Sequence, residues 1–174
     1  MRSQAAELAR LRPPSGAAPG ARRAIAFARA GAVAAIVVVV DRIAKHLVSS
    51  GIAVGSVHHV LPGLEFVHVQ NTGVAFSIFS GGGPLVLVLT LVALAALLAY
   101  FLRQPTRRGL WLATGLLVGG AIGNLIDRVV HGSVTDFIQL PHWPAFNVSD
   151  IAITVGVIVL VFVLEGPSAR RAQR

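Results

Sequence analysis

Apolar residues along this chain fall into four long blocks, separated by polar or glycine-rich connections. Pro84 to Leu102 carries no charged residue, and at 1.5 Å per residue a helix over that run covers a hydrocarbon core of roughly 30 Å. Leu110 to Ile126 is a second charge-free run, and Ala30 to Val40 extends through Ala24 to Ala28 on one side and Ile43 to Val48 on the other. The last block, Ile151 to Leu164, is only about 21 Å long as a helix. A helix there is expected to begin near Asn147 and to take Asp150 into its first turn. Between the first two blocks the pattern changes. "GLEFVHVQ" mixes β-branched and aromatic residues ahead of "NTG", which predicts a short strand, a turn and a small sheet outside the membrane. "GVAFSIF" then leads into "SGGGP" and reads as a segment lying along the interface, with the glycines as a hinge. The expected fold class is a membrane all-α protein: four transmembrane helices, with a small extracytoplasmic β-sheet and an interfacial segment between helices 1 and 2.

Composition supports one membrane domain. The 174 residues are 55% hydrophobic and 13% charged, and the mean hydropathy is +0.75, too apolar for an ordinary soluble domain. Residues 1–23 read as a disordered basic extension punctuated by "PPSGAAPG", residues 24–166 as the four-helix domain, and residues 167–174 as a basic tail. The first span continues into "DRIAKHLV" instead of a small-residue cleavage site, so it is expected to stay as an anchor. Arg2, Arg10, Arg12, Arg22 and Arg23 precede that span, Arg103, Arg107 and Arg108 join spans two and three, and Arg170, Arg171 and Arg174 end the chain. The connections Ser49–Gly83 and His131–Phe146 have no Lys or Arg. The asymmetry predicts both termini in the cytoplasm and both lysine- and arginine-free connections outside. The formal charge of +8 is then mainly an orientation signal with some attraction to membrane lipid. No nucleic-acid partner is expected, because no platform of aromatic and basic residues accompanies the arginines.

The chemistry available is narrow. Cysteine is absent, which excludes disulfides, thiolate catalysis and Cys-ligated metals. There is no GxSxG elbow, no HExxH, no P-loop and no GxGxxG fingerprint. No metal or organic cofactor is implied. Carboxylates remain: the chain has seven acidic residues, and three of its four aspartates lie between Asn124 and Asp150. Asp41 and Lys45, at i and i+4, share a helical face, where they can neutralise each other as a structural ion pair, the expected reading, or hold neighbouring groups. Asp127 and Arg128 are adjacent, point different ways and each call for a partner on another helix. Asp136 follows His131-Gly132, a plausible helix stop, and Asp150 begins the fourth span, so topology brings both to one membrane face. Two carboxylates facing each other near lipid cannot comfortably both ionise; sharing one proton, they can act as base and acid on water and a peptide bond. Intramembrane aspartates also suit an ion or proton pathway, or simple helix pairing.

Five ordered blocks carry a resemblance: "DRIAK" (Asp41, Lys45), "NTGVAFSIF" (Asn71, Gly73, Ala75, Phe76), "GNLIDR" (Gly123, Asn124, Asp127, Arg128), "GSVTDF" (Gly132, Val134, Asp136, Phe137) and "FNVSD" (Phe146, Asn147, Asp150). Together they resemble the bacterial lipoprotein signal peptidase, or signal peptidase II, family over nearly everything except the two termini. The resemblance implies an aspartyl endopeptidase of the bacterial cytoplasmic membrane that cuts prolipoproteins just before a diacylglyceryl-modified cysteine. It implies Asp136 and Asp150 as the catalytic pair. Asn71, Gly73, Asn124, Arg128 and Asn147 would line the site or hold substrate, and Asp41, Lys45 and Asp127 would be structural polar residues. Inhibition by globomycin-type cyclic peptides is expected with it, and nothing demands more than a monomer. The chain departs from the family at Ser149, where Ala is usual; its hydroxyl is expected to hydrogen-bond beside Asp150. The connection from Asp136 to Asp150 is also short, and its "PHWP" could restrict how the two aspartates approach, with Trp143 as an interface anchor.

Overall fold

The computed structural model describes residues 18–72 and 83–166. In chain order the elements are α1 (Pro19–Gly51), β1 (Val57–Leu61), β2 (Leu64–Asn71), α2 (Gly83–Arg103), α3 (Leu110–His131), β3 (Val134–Gln139) and α4 (Val148–Glu165). Each expected apolar block has become a helix. α1, α3 and α4 are long and apolar enough to cross a membrane, and within α2 the stretch Leu91–Arg103 is a shorter apolar helix. α1 begins ahead of residue 23, where the disordered extension was expected to end: Ala18 is the N-cap and Pro19 lies in the first turn, where the fixed φ of proline suits a helix start and its missing N–H costs nothing. Gly73 and the interfacial segment "GVAFSIF" lie outside the described residues.

α3 is the central helix, because it offers two small-residue faces. On one, a Cβ added at Gly119 would stand 2.9 Å from the Ala34 carbonyl of α1; on the other, one added at Gly120 would stand 2.5 Å from the Ser149 carbonyl of α4. Such close approach lets helices pack by van der Waals contact where lipid offers no hydrophobic gain for association. The buried positions of α1, Ala26, Ala30, Val37, Asp41, Lys45 and Val48, recur at helical spacing and form one face. That face is apolar at one end and charged at the other. At the apolar end Phe27 meets Phe101 of α2 edge to face, with ring centroids 5.0 Å apart, and the Arg107 Nη2 donates to the Val163 carbonyl at 2.6 Å, satisfying the last turn of α4. Large apolar side chains such as Val129 (76% exposed) and Phe162 (71%) point outward, as lipid-facing residues do.

The sheet closes the other end. β1, β2 and β3 form one antiparallel sheet in that order, with Gly63 at φ +82° in the β1–β2 turn. The expected strand is β2; β1 and β3 are additional. α3 stops at Gly132, whose φ of 75° gives the left-handed C-cap that favours glycine, and β3 starts two residues later. β3 then pairs along β2, with Val69 opposite Asp136 and Asn71 opposite Val134.

Candidate active site

Two local devices bring Asp136 and Asp150 together. The first is the short return after β3: Phe146 and Ile138 exchange backbone hydrogen bonds at 2.9 Å in both directions, and His142 takes a left-handed φ of 61° to make the corner. The compact "PHWP" connection therefore draws the two aspartates together instead of restricting them. The second is the N-cap of α4. Asn147 Oδ1 accepts from the Asp150 N–H at 3.0 Å, and Asp150 Oδ2 accepts from the Asn147 N–H at 3.2 Å, a reciprocal capping box with Asp in the third position. A backbone N–H can only donate, so the Asn147 carbonyl oxygen must face it and the amide NH₂ must face away. That NH₂ donates to Asp136 Oδ1 at 2.6 Å. One fully buried asparagine thus holds both carboxyl groups.

The remaining oxygens are also held. Asn71 Nδ2 at the end of β2 donates to Asp136 Oδ2 at 2.9 Å, and Asn124 Nδ2 of α3 donates to Asp150 Oδ1 at 2.8 Å. A carboxylate oxygen has two lone-pair sites, so each oxygen keeps capacity to accept from water, and the carboxyl that carries the proton can donate to a peptide carbonyl. Asn71, Asn124 and Asn147, expected to line the site or hold substrate, direct amide donors at the aspartates. Sequence reasoning could not assign that geometry, because the partners come from three separate elements.

Burial pushes the Asp136 carboxyl up to about 6, with the nearby Asp150 charge adding to the rise and the Asn71 and Asn147 hydrogen bonds opposing it. Because the folded protein then binds a proton the unfolded chain has lost, this contribution to stability is full below pH 3.8 and disappears as pH rises through about 6. Thermal unfolding in detergent micelles is expected to fall across that window, and Asp136→Asn is expected to flatten the fall.

Below the pair lies a charged cluster. Lys45 Nζ stands 2.7 Å from Asp41 Oδ2 and 2.8 Å from Asp127 Oδ2, and donates to Asn124 Oδ1 at 3.1 Å. Asp127 also pairs with Arg42 and accepts the Thr135 N–H at 3.3 Å, while Asp41 Oδ1 accepts the Ser149 N–H at 2.9 Å. The expected i, i+4 pair is therefore one arm of a larger network tying α1, α3, β3 and α4. Asp127 finds its partners on α1 as expected. Among the described residues Arg128 does not: it is exposed, and its Nη1 donates to the Asn124 carbonyl of its own helix at 3.2 Å.

The Ser149 hydroxyl is buried without a hydrogen-bond partner among the described residues, contrary to the expected bond beside Asp150. A Cβ at Gly123 would stand 2.2 Å from that oxygen, so glycine is required there by space. Ser149→Ala removes only an unsatisfied group and is expected to raise the unfolding temperature, by a gain of about 1 kcal/mol, with turnover unchanged. A lower unfolding temperature would show that the hydroxyl has a partner.

These features, four amide or backbone donors on two aspartates at the sheet end of an apolar bundle, can be set beside known proteins. The family model described as Signal peptidase (SPase) II matches residues 33–164. The chain belongs to the signal peptidase II family. The lipoprotein signal peptidase of Paraburkholderia phymatum is 43% identical over 138 residues, covering 75% of this chain and 83% of the relative. That of Thermodesulfovibrio yellowstonii is 35% identical over 131 residues, covering 73% and 88%. A solved structure described as a bacterial membrane enzyme superimposes with a TM-score of 0.72 at 31% identity, over 79% of this chain and 93% of that one. Membership in the signal peptidase II family makes this chain a protease, and its apolar helices and membrane-enzyme neighbour make it a membrane protein.

Proposed function

We propose that this chain is an aspartyl endopeptidase that removes the signal peptide from prolipoproteins by cutting before a diacylglyceryl-modified cysteine. The observation that carries the reading is the pairing of Asp136 and Asp150 through Asn147 at the sheet end of apolar helices, in a chain whose family relatives are lipoprotein signal peptidases. In the mechanism, Asp150 takes a proton from water while the proton on Asp136 passes to the scissile carbonyl oxygen. The resulting tetrahedral diol then collapses: Asp150 protonates the leaving amine and Asp136 recovers the proton of the diol hydroxyl. No covalent intermediate is formed.

The membrane placement suits this substrate. In this reading α1 to α4 are the four spans, both termini face the cytoplasm, and the sheet and dyad face outward, an orientation that the arginine distribution supports. Each buried CH₂ of a diacylated cysteine contributes about 0.8 kcal/mol, so the scissile bond stays near the headgroup level and the aspartates must be there. An apolar cavity of about 320 Å³ between α2, α3 and α4, lined by Leu97, Ala121 and Ile153, begins one helical turn from Asp150 and accommodates apolar chain from the substrate. The protein works as a monomer without a metal or organic cofactor, binds membrane lipid, and is inhibited by globomycin-type peptides. Gly73 and Arg128 take part in holding substrate.

The test is processing in bacteria depleted of their own signal peptidase II. Expression of this chain is expected to convert accumulated diacylglyceryl prolipoprotein to the mature form, and to lose that ability with globomycin. Persistent precursor, with the chain present in the membrane, would contradict the reading.

A further inference from the structure

We infer that Lys45 is a positioning residue for the dyad, fixing through Asn124 the donor that holds Asp150; this rests on the aspartyl peptidase reading above. An ammonium has only donors, so the group that faces Lys45 Nζ at 3.1 Å must be the Asn124 carbonyl oxygen. The amide cannot then turn over. Its NH₂ is committed to Asp150 Oδ1 at 2.8 Å, and Asp150 Oδ2 is committed to the cap of α4 at 3.2 Å. The carboxyl plane of Asp150 is defined from both sides.

The Lys45 charge also lowers the Asp136 carboxyl, as the last and smallest of the influences on it, but two features favour action through the Asn124 bond. Arg42 and Lys45 are matched by Asp41 and Asp127 in the same cluster, so the four formal charges cancel. Lys45 is also nearly inaccessible, at 3% exposure; its ammonium forms ion pairs with Asp41 and Asp127 and a hydrogen bond to Asn124. The ion pairs serve the helix packing. The hydrogen bond points along Asn124 to the reacting carboxyl, and polarising the amide strengthens the N–H that meets Asp150. Without the ammonium, the Asn124 amide is free to turn its oxygen toward Asp150, where an acceptor meets an acceptor.

The experiment is a double-mutant cycle on the full-length enzyme in detergent, with a diacylglyceryl precursor peptide as substrate. Lys45→Gln, Asn124→Ala and the double variant are compared for kcat, KM and unfolding temperature. A hydrogen bond to a charged group corresponds to roughly a 10- to 100-fold change. Asn124→Ala is expected to lower kcat by that much with KM little changed. Lys45→Gln is expected to lower both kcat and the unfolding temperature. In the Asn124→Ala background, Lys45→Gln should lower the unfolding temperature again but leave kcat where it was. A purely structural Lys45 would give no such split, and multiplicative losses in kcat would overturn the inference. If Lys45→Gln does not fold, Asn124→Asp decides. Its carboxylate keeps the Lys45 contact but offers no donor to Asp150, so kcat should fall as in Asn124→Ala; wild-type kcat would overturn the relay. A wild-type kcat there, together with inactive Asp136→Asn, would remove the relay while leaving the dyad standing. Active Asp136→Asn would remove the dyad itself.

Discussion

Asp136→Asn and Asp150→Asn are each expected to lower kcat by a factor of about 100 to 10,000, the range for losing a positioned acid or base, with KM close to wild type. An asparagine side chain is nearly the same size as aspartate, but it neither takes a proton from water nor gives one to a carbonyl. Each aspartate accepts two N–H donors, and asparagine offers only one acceptor oxygen, so one donor is left facing an NH₂. The cost to the fold is about 1–3 kcal/mol and is partly offset at position 136, where a buried carboxyl is removed. Thermal unfolding and steady-state kinetics on the same preparations separate the two effects. Loss of activity that simply follows loss of folded protein would argue for aspartates that only pair helices.

Lys45→Met is expected to produce the largest loss of stability, about 3–5 kcal/mol, the cost of stranding buried charges without a partner. Asp41 is fully buried and Asp127 is 1% exposed; without the ammonium, Asp41 keeps only the Ser149 N–H, and Asp127 keeps Arg42 and the Thr135 N–H. These groups tie α1 to α3 and α4, so the loss falls on the packing of the whole bundle. The unfolding temperature in micelles should drop by roughly 6–20 °C. Asp41→Asn and Asp127→Asn, which leave Lys45 one carboxylate, should cost less. An unchanged unfolding temperature in Lys45→Met would mean that the cluster contributes little to holding the helices.

The helices were legible because a span is announced by length and absence of charge, which depend on no partner. The Asp41–Lys45 pair was legible for a similar reason: i, i+4 contact is a property of one helix. β3 was not, because Asp136 interrupts the apolar alternation of "VTDFIQ"; the residue that makes the strand useful hides it. β1, with two adjacent histidines, is masked in the same way. The start of α1 at Pro19 was obscured because "GARR" is polar and sits next to a Pro/Gly-rich stretch. At the site, the two aspartates and three asparagines could be named, but not what the amides do. Asn147 joins both carboxyls only because a left-handed His142 turns the chain back on β3, and Asn124 donates to Asp150 only because Lys45 occupies its oxygen. Arg128 illustrates a different limit: it is exposed and its Nη1 donates to the Asn124 carbonyl of its own helix, a contact that the adjacent Asp127–Arg128 pair does not announce.

The most direct measurement is mass spectrometry of the products formed by the purified enzyme in micelles from a diacylglyceryl prolipoprotein, with the unlipidated precursor in parallel. One cut is expected, between the residue before the modified cysteine and that cysteine, in the lipidated precursor alone. Equal cutting of both precursors, a cut elsewhere, or no cut by folded enzyme would contradict it.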